Sequence, residues 1–204
     1  MLPEIEIRLF GSPSLILNGQ PVTGFISNKA PALVYYLAAT EHAQMRDLVA
    51  TLLWTNTPEL DAKRNLRTVL SNLRTLLAPC LEITRTTVRL KPETVALIDS
   101  AGFVANLKAA EQAVADSAKR GALLAEAVAL YQGPLLDGFH IRDAEAFEDW
   151  LRNEREHFQR LALQALSELI AHYAHQGELL AGINYASRLL TLDPTREETH
   201  RHLM

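Results

Sequence analysis

The spacing of apolar residues changes twice in the N-terminal half of the chain, and this change constrains the fold more than any other feature. Apolar and charged residues alternate from Glu4 to Leu9, which is the two-residue period of a half-buried strand. A second short strand over 15–17 runs into Asn18-Gly19, a dipeptide typical of tight hairpin turns. Residues 21–23 are predicted to form a third strand, so the chain begins with a small sheet.

Three amphipathic helices are predicted next, from the 3.6-residue spacing of their apolar positions. Ser27 is the expected N-cap of the first helix. The second has a face made of Met45, Leu48, Val49, Leu52 and Leu53. The third is predicted over 58–78, with Thr57 as the cap residue, Pro58 in the first turn and Pro79 as the stop. A hairpin follows, with strands at 81–85 and 88–90 and a turn near Thr86. This order of elements predicts a winged helix-turn-helix.

From Asp99 onward the pattern is almost entirely helical. Seven residues near the end match the spacing of a tetratricopeptide repeat, with Gly182 at a position where that repeat usually has alanine: Leu169, Ile170, Tyr173, Gly177, Ala186, Leu189 and Pro194. A further helix is expected to begin at Arg196 and to be cut off at Met204, as in a piece of a longer protein. The predicted fold class is therefore mainly α, with a winged helix-turn-helix over 1–93 and an all-α, tetratricopeptide-like bundle over 97–204.

The third helix carries the main functional signal, because its two faces differ sharply. Its leucines lie on one side, while Arg64, Arg67, Ser71 and Arg74 fall within an arc of about 80° on the other. Arginine binds phosphate or guanine, and serine and threonine bind phosphate or base edges. The basic face is therefore interpreted as a DNA-reading surface. The alternative is an ordinary solvated face with surface arginines.

Other elements supply further candidates. Lys63 and Thr68 flank the arc, Arg46 begins the preceding helix, and Arg85 and Thr87 lie near the hairpin tip. Lys29 is expected to clamp phosphate. The candidate DNA-contacting residues are Lys29, Arg46, Lys63, Arg64, Arg67, Thr68, Ser71, Arg74, Arg85 and Thr87.

The charge distribution agrees with this division of the chain. Residues 1–92 carry a balance of +3 and residues 93–204 a balance of −7, as in a nucleic-acid module joined to a different kind of domain. The chain has one cysteine, Cys80, no N-terminal signal pattern and no membrane-length apolar run, so a cytoplasmic protein is expected.

Several segments resemble the antibiotic regulatory protein (SARP) family of bacterial activators. They are Leu9-Phe10-Gly11, Lys29 to Ala38, Arg46-Asp47-Leu48, Leu52-Leu53-Trp54, Asn65 to Arg74, Gly138 to Arg155, and Leu192-Asp193-Pro194 with His200 to Met204. The resemblance implies a response-regulator-type winged helix followed by a tetratricopeptide-like bacterial transcriptional activator domain. It also implies binding to direct repeats in double-stranded DNA, with a possible homodimer there, and contact with RNA polymerase.

Two alternatives to a DNA-binding activator remain open at this point. The first is a protein-interaction scaffold whose winged helix no longer binds DNA. The second is a fragment of an enzyme whose catalytic part lies beyond Met204. The sequence contains no P-loop, dinucleotide fingerprint or nucleophile elbow, so no enzymatic activity and no cofactor are expected. His172 and His175, with Glu168 one turn earlier, are interpreted as surface or partly buried residues rather than metal ligands.

Overall fold

The computed structural model describes residues 4–193, apart from the side chain of Ala96. The strands and helices alternate along the first half of the chain, and helices alone follow. In chain order they are β1 (Ile5–Arg8), β2 (Ser14–Leu17), β3 (Gln20–Pro21), α1 (Lys29–Thr40), β4 (Gln44–Met45), α2 (Arg46–Leu53), α3 (Glu59–Leu77), β5 (Leu81–Ile83), β6 (Thr87–Leu90), β7 (Val95–Ile98), α4 (Asp99–Gln112), α5 (Ser117–Leu130), α6 (Glu145–Gln176) and α7 (Leu179–Leu192). This confirms the predicted fold class, a winged helix-turn-helix followed by a mainly helical region.

The described chain divides into two compact units. Residues 4–101 and 135–153 form the first unit, and residues 102–134 and 154–193 form the second. The domain ranges predicted from the sequence, 1–93 and 97–204, stay a prediction. The predicted helix start at Arg196 and the repeat position Pro194 lie outside the described residues.

The first unit is built on a four-stranded sheet in the order β3-β2-β1-β7. The turn at Asn18-Gly19 joins β2 to β3 and has positive φ at both residues, as a two-residue hairpin requires, which confirms the hairpin turn predicted after the second strand. β7 pairs in parallel with β1 and was not predicted. Ile5 and Ile7 of β1 are fully buried, which confirms the alternating pattern of the first strand.

A carboxylate at the start of α4 ties that helix to the end of the sheet. The Asp99 carboxylate accepts hydrogen bonds from the backbone N–H groups of Leu9 (2.8 Å), Phe10 (2.9 Å) and Ser100 (2.8 Å). Asp99 is only 5% exposed, and its burial raises the pKa of the carboxyl group although the three N–H donors act to lower it. The negative charge also lies at a helix N-terminus, where the helix dipole favours it.

The three helices and hairpin of the first unit form the winged arrangement. β4, β6 and β5 make a second, three-stranded antiparallel sheet in that order. α1 begins at Lys29 with Asn28 in the cap position, so the predicted N-cap Ser27 is wrong by one residue, and no side chain caps the helix. Ser27 instead contributes its backbone carbonyl, which accepts from Ala30 N–H at 3.1 Å.

The apolar face predicted for α2 is wrong in part. Met45 is 69% exposed and Leu48 is 49% exposed, whereas Val49, Ala50 and Leu53 are buried. In a helix of only two turns, two overlapping apolar stripes match the same spacing, and packing against α1 and α3 selects one of them.

The second unit has a helical core that includes most of the predicted repeat positions. Leu169, Ile170, Ala186 and Leu189 are buried together with Leu124 and Leu166. Gly177 has φ of +76° and ends α6, and the following N–H of Glu178 donates to the Tyr173 carbonyl at 3.0 Å. These contacts place α6 and α7 as the helix pair that the repeat spacing predicts.

We expect two buried glycines in this unit to respond differently to replacement by alanine. A Cβ at Gly121 would overlap the His172 Nε2, so the imidazole must move. A Cβ at Gly182 would lie 3.8 Å from the Tyr173 Cβ, which is an ordinary contact. Gly182→Ala should therefore raise the free energy of unfolding by up to about 1 kcal/mol, the usual helix-propensity gain.

For Gly121→Ala we expect no gain, because displacement of His172 offsets the propensity term. In a His172→Ala background the same substitution should become stabilising by about 1 kcal/mol. Urea unfolding of the four proteins of this cycle, with Gly182→Ala as the control, measures the coupling. Equal effects of Gly121→Ala in both backgrounds would contradict the packing described for His172.

Candidate nucleic-acid interface

The two faces of α3 are separated as the sequence predicts. Leu66, Val69, Leu70, Leu73 and Leu77 are buried along one side of the helix. Arg67, Ser71 and Arg74 are exposed on the other side. α3 is therefore held by its leucines against the first unit and presents a polar, basic surface to solvent.

Two of the candidate cations on α3 are already paired with carboxylates. The Lys63 ammonium lies 3.2 Å from Asp47 Oδ1 and 2.6 Å from Glu59 Oε1. Hydrogen bonds to Glu59 and Asp47 raise the pKa of Lys63, which keeps it protonated within this triad. Arg64 pairs with Asp61 at 3.1 Å between Nη1 and Oδ1. The charges of Lys63 and Arg64 are therefore compensated by neighbouring carboxylates at the protein surface.

Arg67 and Arg74 differ from these two residues. Neither forms an ion pair or a side-chain hydrogen bond within residues 4–193, and both are exposed. Thr68 uses its hydroxyl to donate to the Arg64 carbonyl at 3.3 Å. The guanidinium groups of Arg67 and Arg74 thus retain all of their donors for an external partner.

Arg46 joins the second helix to the hairpin tip. Its Nη1 donates to the Thr84 carbonyl at 3.1 Å and its backbone N–H to the Thr86 carbonyl at 2.8 Å. At the tip itself, the Thr84 hydroxyl accepts from Thr87 N–H at 2.9 Å and lies 2.8 Å from the Thr87 hydroxyl. Arg85 is exposed between these threonines. The structure thus brings Arg46, Arg85 and Thr87 close to one another.

Lys29 is placed differently from the rest of the candidates. Its ammonium donates to the Asp143 carbonyl at 3.1 Å and lies 5.1 Å from the centroid of the Trp54 ring. Burial lowers the pKa of Lys29, while Asp143 and Glu145 oppose that shift. Lys29 therefore has a structural role inside the first unit. The phosphate contact predicted from the sequence would come in addition to this role.

Asn72 is a functional candidate that the sequence analysis did not select. Its Nδ2 donates to the Gly24 carbonyl at 3.1 Å and its Oδ1 accepts from Ile26 N–H at 3.3 Å. The amide of Asn72 therefore fastens the loop before α1 onto α3 and fixes the position of the helix. An asparagine on the edge of a basic helix face is the only sequence signal for this role, and it does not distinguish Asn72 from Asn65.

Replacing Asn72 with alanine should lower the free energy of unfolding by about 1–2 kcal/mol, because two hydrogen bonds are lost and the loop's backbone groups lose their partner. Asn65 is the matched control, since it is exposed on the same helix and forms no side-chain hydrogen bond within the described residues. Asn65→Ala should be neutral or slightly stabilising. Denaturant titrations of both variants test this, and equal midpoints would show that Asn72 does not hold the loop.

Comparison with known proteins decides the family. The family model of the bacterial transcriptional activator domain matches residues 98–204. The chain belongs to this family. A search of curated proteins found no significant match.

The activator-domain chain is also similar to a solved structure described as Mycobacterium tuberculosis EmbR in complex with a low affinity phosphopeptide. The two share 20% sequence identity with a TM-score of 0.62, and the match covers 93% of this chain and 59% of the EmbR chain. The chain thus spans about three fifths of the length of that relative. The family match and the shared fold confirm the resemblance to antibiotic-regulatory-protein-type transcription regulators.

Three further features of the described residues concern membrane spans, metal binding and the surroundings of His172. Among residues 4–193, no helix has both the length and the apolar character needed to cross a membrane. No group of three His, Cys, Asp or Glu side chains in that range is arranged to hold a metal ion. Glu168 forms an ion pair with Arg120 at 2.7 Å, and His172 Nδ1 lies 3.3 Å from the Ser117 hydroxyl.

Proposed function

We propose that this activator-domain protein is a sequence-specific DNA-binding transcription activator that inserts α3 into the major groove. The observation that carries the proposal is the exposed side of α3, where Arg67 and Arg74 keep free guanidinium groups opposite a fully buried leucine face. An α-helix fits the major groove, and arginine is the side chain most often used there to contact guanine.

The neighbouring elements support phosphate contacts beside the groove. Arg46 lies at the first turn of α2, whose N-terminal N–H groups favour an anion, and Arg85 lies at the exposed hairpin tip. A phosphate contact positions the protein without specifying sequence. In this proposal Arg46, Arg85 and Thr87 position α3, and the helix itself supplies the sequence preference.

The helical second half is proposed to contact proteins. The family match implies transcription activation, so RNA polymerase is the proposed partner there, with a second copy of the chain bound at a neighbouring direct repeat of the operator. These partners belong to the proposal and follow from the resemblance. The rival function is a scaffold whose winged helix has lost DNA binding.

Selection of bound sequences from a pool of random DNA duplexes tests the proposal. The activator should enrich one motif, present as a direct repeat if two copies bind side by side. Enrichment of no motif, together with no binding of any duplex at low salt, would favour the scaffold.

The substitution Arg67→Ala should weaken binding to the selected operator by about 5- to 150-fold, because a bidentate arginine–base contact contributes roughly 1–3 kcal/mol. Binding to random duplex should change much less, since a base contact is absent there. Arg152→Ala is the control, because Arg152 is exposed and its ion pair with Asp149 lies on α6. Fluorescence anisotropy on both duplexes gives the two affinities. Equal loss on both would identify Arg67 as a phosphate contact instead.

A further inference from the structure

The acidic residues near the start of α3 restrict which part of the helix can approach DNA. Asp47, Glu59 and Asp61 surround the first turns and compensate Lys63 and Arg64. Two carboxylates share the single charge of Lys63, so this end of the helix is not attractive to phosphate. The free positive charge of α3 begins at Arg67.

Beyond that point, three side chains form a single line along the helix. Arg67, Ser71 and Arg74 follow the i, i+4, i+7 spacing, which places them on one face. The hydroxyls of Thr68 and Thr75, which lie beside this line, donate to carbonyls of their own helix at 3.3 Å and 3.2 Å. The line therefore contains two arginines separated by one short hydroxyl side chain, which allows a close approach of the DNA.

The spacing of the two arginines limits the separation of the base pairs that their side chains can contact. Seven residues of α-helix advance about 10.5 Å. Base pairs are spaced about 3.4 Å along the duplex axis, and a helix in the major groove is inclined to that axis, so this distance spans at most about three base pairs. Both guanidinium groups can then reach bases in the same stretch of major groove.

We propose that Arg67 and Arg74 each read one guanine, and that the two guanines lie two or three base pairs apart in each operator half-site. This inference rests on the proposed function. In this proposal Arg64 and Lys63 contribute no base preference, because Asp61, Asp47 and Glu59 lie beside them and compensate their charges. Ser71 faces the base pairs between the two guanines.

Glutamine substitutions test the assignment, since glutamine pairs bidentately with adenine in the same groove. Selection from random duplexes would be repeated with the whole chain as wild type, Arg67→Gln, Arg74→Gln and Arg64→Gln. Each of the first two variants should lower the guanine preference at one motif position by about 5- to 150-fold and shift it toward adenine. The two positions should differ and lie two or three base pairs apart, and Arg64→Gln should alter neither.

The outcomes separate this inference from the proposed function. A wild-type motif that Arg67→Gln and Arg74→Gln leave unchanged, or change at the same position, overturns the assignment while specific DNA binding stands. A base preference that moves with Arg64→Gln also overturns it. If the wild-type chain enriches no motif, the proposed function and this inference both fail. Circular dichroism of each variant confirms folding, which is expected because Arg67 and Arg74 are exposed.

Discussion

Replacing Asp99 with alanine will lower the free energy of unfolding by about 3–5 kcal/mol, the largest effect expected for a single polar side chain in this protein. The carboxylate is the acceptor for the N–H groups of Leu9, Phe10 and Ser100, and all three lose their partner in the variant. A buried N–H without a partner costs roughly 1–3 kcal/mol. The start of α4 and the end of β1 should separate first.

Asp99→Asn distinguishes the acceptor role from simple packing. Asparagine keeps the shape but places an NH2 group where one carboxylate oxygen accepted, so one backbone N–H then faces another donor. We expect Asn to recover only part of the loss. The control is Asp149→Ala, which removes an exposed carboxylate paired with Arg152 and should change stability by no more than about 0.5 kcal/mol.

Thermal unfolding followed by circular dichroism measures these differences, because 1 kcal/mol corresponds to about 2–4 °C in Tm for a chain of this size. A drop of about 6–20 °C is expected for Asp99→Ala. Asp99→Ala with the same Tm as Asp149→Ala would contradict the role assigned to the buried carboxylate.

Leu70→Ala should cost about 2–5 kcal/mol, because it removes a buried side chain from the face that holds α3 in place. Operator binding should be lost as a consequence of unfolding and not through a lost DNA contact. Arg67→Ala is the opposite case, since it removes an exposed side chain from the same helix and should leave Tm nearly unchanged.

Temperature separates the two mechanisms. At a temperature where circular dichroism shows Leu70→Ala to be folded, its affinity for the operator should return to the wild-type value. Arg67→Ala should remain weak at every temperature. Weak binding by fully folded Leu70→Ala would show that Leu70 acts on the interface directly, against the packing described here.

The sequence contained enough information to predict α3, because its apolar and basic residues separate cleanly over nineteen residues. The hairpins were equally accessible, since Asn18-Gly19 between β2 and β3 and the short strand at 81–83 carry local turn and strand signals. Local patterns of this kind depend on neighbours a few residues away, so a single sequence reveals them.

Contacts between distant residues could not be predicted in the same way. β7 pairs with β1, although the two strands lie at opposite ends of the segment 4–101 in the sequence. The short apolar run at Val95–Ile98 shows no alternation of apolar and polar residues that would predict a strand. The partner that occupies Lys29 is the Asp143 carbonyl, 114 residues away. Asp47, which forms an ion pair with Lys63 together with Glu59, is on the preceding helix. Only the folded chain shows that these two lysines are engaged while Arg67 and Arg74 are free.

Binding of wild-type protein to duplex DNA as a function of salt concentration is the measurement that tests the central claim most directly. Cations that neutralise phosphates release counterions, so the logarithm of the binding constant should fall linearly with the logarithm of salt concentration. The account predicts this fall on both selected and shuffled duplexes, with the selected duplex bound more tightly at every salt concentration. Absence of binding to either duplex at low salt by folded protein would contradict it and leave the scaffold as the function of this chain.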